Sequence, residues 1–197
     1  MLQCCNLFSD CPRPAVILKQ LAYKEVARRT ENGWKSYWAM KDLMKGKLPI
    51  CLKRKLMDMC ILPILTYGAQ TWSLTIEQKS TLAVCQRAME RSILGVRLLD
   101  RIKNSVLRSK TQIIDVTQKA AMLKWDWAGH VCRMPAELWA KTTTDWVPEV
   151  TRPPGRPRRR WKDELDAHNK EWTTTAHNRE VWKGGREAFA QQWDKMG

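Results

Sequence analysis

Asp163, Glu164 and Asp166 stand within one helical turn and are close enough in sequence to share a metal ion. A two-metal polymerase or nuclease site needs carboxylates converging on ions about 4 Å apart. No adjacent Asp-Asp pair occurs in the chain to begin such a site. Asp163 and Asp166 share a helix face, where acids in a first turn simply favour the helix dipole and neutralise the arginines upstream. The three histidines, His130, His168 and His177, have no nucleophile at a useful spacing and read as surface or half-buried helix residues. His130-Val131-Cys132 lacks the second half of a zinc knuckle. There is no G-x-x-x-x-G-K-[ST] loop and no G-x-S-x-G elbow. No catalytic constellation emerges.

Binding chemistry is better represented. Arg152-Pro153-Pro154-Gly155-Arg156-Pro157-Arg158-Arg159-Arg160-Trp161 is followed by Lys162 before the first acid, Asp163. Its prolines and Gly155 deny it a helix, so it is expected to run extended with guanidinium forks along its length. Arginine grips phosphate in bidentate geometry and fits a narrow minor groove. The core Gly155-Arg156-Pro157 resembles an AT-hook, a peptide that lies in the minor groove. The same composition also suits a solvated basic linker. The whole chain leans the same way, with 35 basic against 20 acidic residues and a formal net charge of +15. Such an excess favours a polyanionic partner.

Other counts bound the class. The 197 residues allow one or two small domains with a real core. No apolar run approaches the roughly 18–20 residues that span a bilayer, and Ala15-Val16-Ile17-Leu18 is too short for a signal-peptide core. The expected compartment is therefore nucleus or cytoplasm, without secretion. Seven cysteines, odd in number and without framework spacing, fit reduced thiols. Eleven tryptophans against two phenylalanines, most of them after residue 124, are expected mainly as core anchors.

The periodicity predicts a mainly α protein. Residues 1–22 read as a loose leader. From Lys24 a helix carries Val26, Thr30, Gly33 or Trp34, Tyr37, Met40 and Met44 on one stripe, closed by Gly46 and Pro49. A second spans about 52–67, with Leu56, Met59, Cys60, Ile64 and Tyr67 inward and Pro63 kinking or splitting it. Thr75 and Gln78 spell a capping box for a third, which buries Leu82, Cys85, Met89 and Ile93 and ends at Gly95. Its other face, with Gln86, Arg87, Glu90 and Arg91, reads as solvated. Asn104 and Asp115 are candidate caps for two more helices, the second bracketed by Gly129 and Pro135. On that one the stripe Val116, Ala120 and Leu123 places Trp127 inward, with Trp125 exposed or against the tail. Thr142 to Val147 is β-prone. Trp161, Leu165, His168 and Trp172 make one late stripe, and Trp182, Phe189 and Trp193 the last.

The order of motifs carries a resemblance. Leu62-Pro63-Ile64-Leu65-Thr66-Tyr67-Gly68-Ala69-Gln70-Thr71-Trp72 is followed by Gln86-Arg87-Ala88-Met89-Glu90-Arg91 and Ile93-Leu94-Gly95-Val96. Next come Asp100-Arg101-Ile102-Lys103-Asn104 and Leu123-Lys124-Trp125-Asp126-Trp127-Ala128-Gly129-His130. Gly155-Arg156-Pro157, Arg160-Trp161-Lys162-Asp163, Phe189 and Gln191-Gln192-Trp193 complete the series. This succession resembles the C-terminal part of RTE-like, non-LTR retrotransposon endonuclease–reverse transcriptases, over roughly residues 24–197.

The resemblance implies a thumb-like helical bundle over 23–100, a helical connector over 101–147, and a basic connector with C-terminal helices over 148–197. It implies RNA or DNA as partner, template–primer or target, with neither membrane nor small-molecule substrate. The palm aspartates that hold Mg²⁺ in the intact family, and its endonuclease, have no counterpart here. The expectation is thus a strand-holding fragment with no cofactor and no catalysis of its own; the alternative is a host DNA-binding or adaptor protein built on the AT-hook-like peptide. Expected contacts are Arg152, Arg156, Arg158, Arg159, Arg160 and Lys162, then Lys53, Arg54 and Lys55. Arg87 and Arg91 follow, at a spacing that equally suits pairing with acids.

Overall fold

The computed structural model describes residues 14–145 and 160–193, and among these every regular element is helical. The first helix, α1 (Pro14–Ala39), opens upstream of the Lys24 start that periodicity gives. Proline is well placed in a first turn because its missing N–H has no intrahelical partner there. A short α2 (Lys41–Lys45) follows, and Val26, Tyr37 and Met44 are buried as the stripe predicts.

The expected second helix is divided into α3 (Ile50–Leu56), a π-helical turn over Met57–Ile61, and α4 (Leu62–Leu65). Pro63 supplies the cause. It has no N–H to offer and its ring crowds the carbonyl four residues back, so the backbone widens by one residue, and the Leu62 amide donates to Met57 O. That extra residue rotates the register. Met57, Ile61, Leu62 and Leu65 are buried, whereas Met59 and Tyr67, expected inward, are exposed. The stripe drawn at a constant 3.6 residues per turn is corrected accordingly.

Helix α5 (Ile76–Leu94) forms as its sequence dictates. Thr75 Oγ1 accepts from the Gln78 amide, Gln78 Oε1 accepts from the Thr75 amide, and Gly95 closes the helix at φ 67°. Leu82, Cys85, Met89 and Ile93 face the core. Burial pushes the Cys85 thiol up to about 11, while Cys51 is exposed. Alkylation of the native protein at pH 8 should therefore modify Cys51 and spare Cys85 in a peptide map. Equal labelling of the two would contradict this packing.

The polar side of α5 is the main correction to the helix readings. Gln86, Arg87 and Glu90 are buried, not solvated. Their partners arrive from the chain after α6 (Asn104–Thr111), where Asp115 caps α7 (Val116–Cys132). Arg87 lies 2.8 Å from Glu90 and 2.7 Å from Asp115. Gln86 donates to Ile114 O and accepts from the Val116 amide. The other Asp115 oxygen accepts from the amide and hydroxyl of Thr117. Burial pushes the Glu90 carboxyl above its usual range, against the pull of the Arg87 charge. Asn104, read as a cap, instead accepts from Arg91 at 2.6 Å.

Helix α7 is the central element. One side packs on α5 and the 3₁₀ turn Ala69–Thr71, the other on α10 (Trp172–His177) and α11 (Arg179–Trp193). Burial on both sides leaves no single inward stripe. Trp125 is 2 % exposed and Trp127 only half-buried, which reverses the expected pair. Trp125 stacks on Trp182 with centroids 3.7 Å apart, and each indole N–H donates to the other residue's carbonyl. Gly129 makes the contact possible, since a Cβ there would stand 2.2 Å from Trp182 Nε1. Between the two segments, α8 (Trp139–Asp145) is helical where Thr142 and its neighbours looked β-prone. Each threonine hydroxyl there bonds the carbonyl four residues back, an arrangement only a helix provides.

Candidate nucleic-acid interface

The first helix after the basic run, α9 (Asp163–His168), begins where that run ends. Arg160 is its first described residue, and its amide donates to Asp163 Oδ2 at 2.6 Å. Trp161 Nε1 donates to Gln70 O at 2.7 Å, which fixes the indole against the turn before Trp72. Beneath it Lys124 Nζ stands 2.5 Å from Glu164 Oε2 and 3.3 Å from Trp72 O. The same carboxylate oxygen accepts from Trp193 Nε1 at 2.5 Å. Asp166 accepts from Trp172 Nε1. The acid cluster of α9 is therefore engaged in holding the tail, as an apolar interior requires of buried charge.

Three segments distant in sequence meet above this buried pair. Thr71 comes from the turn, Trp127 from α7, and Arg160, Trp161 and Lys162 from the end of the basic run. Together with Ala140, Thr143 and Thr144 of α8 they line an open cavity of about 480 Å³. Its walls are two indoles, three hydroxyls and two cations. Lys124 Nζ lies 5.3 Å from the Trp161 ring centroid.

The predicted contact residues fall in different places. Arg152, Arg156, Arg158 and Arg159 lie outside the described residues. Arg160 and Lys162 are half-buried at the cavity rim. Lys53, Arg54 and Lys55 are consecutive on α3 and diverge, because successive helical side chains point about 100° apart. Lys53 is 7 % exposed, Arg54 donates to Gln112 Oε1 at 3.2 Å, and Lys55 is exposed. Arg87 is inside the network with Glu90 and Asp115 and has no surface to offer. Trp127, Trp161 and Thr71 were not singled out for binding by sequence reasoning. Their signal was membership of motifs 30 or more residues apart, which only folding brings together.

A sequence comparison bears on origin. The chain is 27 % identical over 173 residues to a putative uncharacterized transposon-derived protein of Caenorhabditis elegans. It has a transposon-derived relative. The match takes in 80 % of this chain and 62 % of that protein, so the chain spans less than two thirds of its relative's length. No family model matches the chain, and no solved structure matches it. Among the described residues no helix is long and apolar enough to cross a membrane.

Proposed function

We propose that this chain is the strand-holding C-terminal part of a non-LTR, RTE-like reverse transcriptase, without polymerase or endonuclease chemistry of its own. The observation that carries the reading is the convergence of three resembling motifs on one cavity. Leu62 to Trp72 supplies Thr71 and the Gln70 carbonyl that holds Trp161, Leu123 to His130 supplies Trp127, and Arg160 to Asp163 supplies Trp161 and both cations. The net charge of +15 and the transposon-derived relative support it independently.

On this reading Mg²⁺ belongs to a palm outside this chain. The carboxylates here that most resemble ligands already accept hydrogen bonds from Lys124, Trp193, Trp172 and the Arg160 amide. Holding falls to Arg152, Arg156, Arg158, Arg159, Arg160 and Lys162, with Lys55 and Arg54 as outlying contacts. RNA or DNA is the ligand, in the nucleus or cytoplasm.

Salt dependence tests the claim. If the six connector cations neutralise phosphates, log K for an RNA–DNA hybrid should fall with log salt at a slope of roughly −5 between about 50 and 200 mM. Fluorescence anisotropy titrations measure it directly. A slope near zero overturns the reading. Displacement from A·T-rich duplex by a minor-groove drug would instead favour the AT-hook alternative.

A further inference from the structure

We propose that the cavity between α7, α8 and Arg160–Lys162 takes one unstacked nucleobase of a single-stranded nucleic acid. This rests on the strand-holding reading and adds that a base, not only the backbone, is held. The cavity of about 480 Å³ lies within the roughly 300–1,000 Å³ typical of small-ligand sites. Two indoles, those of Trp127 and Trp161, form its apolar walls. A flat π-system is the ligand such walls favour, and stacking on them tolerates any base.

The cavity wall is preorganised. Trp161 is held by Gln70 O at 2.7 Å and by the cation of Lys124 near its ring. Its ring therefore loses little freedom when a base arrives. Thr143 and Thr144 donate to Trp139 O and Ala140 O, and Thr71 to Gly68 O, which leaves hydroxyl lone pairs for the polar edge of a base. Arg160 and Lys162 stand at the same rim and complement the phosphates on either side. Arg158 and Arg159 precede them directly in sequence and add to the positive charge of that stretch of chain. A duplex keeps its bases stacked and offers none to it. Single strands fit.

The test uses the full chain with a short fluorescein-labelled single strand, as RNA and as DNA. Trp127 is half-buried, so Trp127→Ala should retain the fold, checked by its melting transition. In either arm it should weaken binding about tenfold, leave the salt slope unchanged, and be largely rescued by Trp127→Phe. Trp139→Ala, 82 % exposed and outside the cavity, should bind like the parent. Ultraviolet crosslinking of a 5-bromouridine strand should mark a peptide containing Trp127 or Trp161. If the parent binds with a steep salt slope while Trp127→Ala binds equally well, the cavity proposal is overturned and phosphate holding stands. Absence of binding by the parent at low salt overturns both.

Discussion

Trp125→Ala should lower the melting temperature by roughly 6–20 °C. Truncating a buried tryptophan costs about 3–5 kcal/mol, and a chain of this length loses about 2–4 °C per kcal/mol. The indole is sandwiched rather than merely covered. It stacks on Trp182 at 3.7 Å, tilts against Phe189 at 5.0 Å and meets His168 edge-on at 5.4 Å. Its removal also leaves the Trp182 carbonyl without its indole donor, an added desolvation cost in a buried place. Trp127→Ala removes a half-buried ring at the cavity wall and should cost about 1 kcal/mol, a shift of a few degrees. Differential scanning calorimetry of the two variants decides between them. Equal small shifts would show that α7 does not bury the face described.

The second large effect lies one residue earlier on the same helix. Lys124 and Glu164 have fully buried side chains 2.5 Å apart. Removing either partner alone takes from the other buried charge the opposite charge 2.5 Å away and should cost about 3–5 kcal/mol. Lys124→Met and Glu164→Leu, made singly, should each lower the urea midpoint sharply. The double variant should recover much of the loss, because apolar residues of similar volume often replace a buried pair at little cost. Trp193 loses its acceptor in Glu164→Leu, so recovery should stop short of the parent. A double variant as unstable as the sum of the singles would mean that the two charges do not depend on each other.

Legibility followed the range of the interaction. The Thr75–Gln78 box, the Gly95 terminus and the Asp115 cap were readable because side chain and backbone partner lie within three residues. The core stripe of α5 was readable for the same reason: one helix, one period. Gln86, Arg87 and Glu90 were misread because polarity alone looks like a solvated face. The acid that buries Arg87 comes 28 residues later. Trp125 and Trp127 were exchanged because a helix covered on two sides has no unique inward stripe. Met59 and Tyr67 were misplaced because a constant period ignores the residue that Pro63 forces into a π turn. The basic residues at Arg160 and Lys162 were found by composition. The indoles beside them were not, since nothing in a linear chain says that Trp127 and Trp161 share a wall.

The bonds that close the tail also set a timetable. Trp161 reaches back 91 residues to Gln70, and Lys79 donates to the carbonyl of Trp193, 114 residues on. A ribosome therefore releases α5 and α7 well before it makes the helices that cover them. Through that interval Trp125 and Lys124 face solvent or a chaperone. Closing such long loops is slow, and the half-made chain is at its most aggregation-prone just then. Synthesis of α11 is what ends the delay.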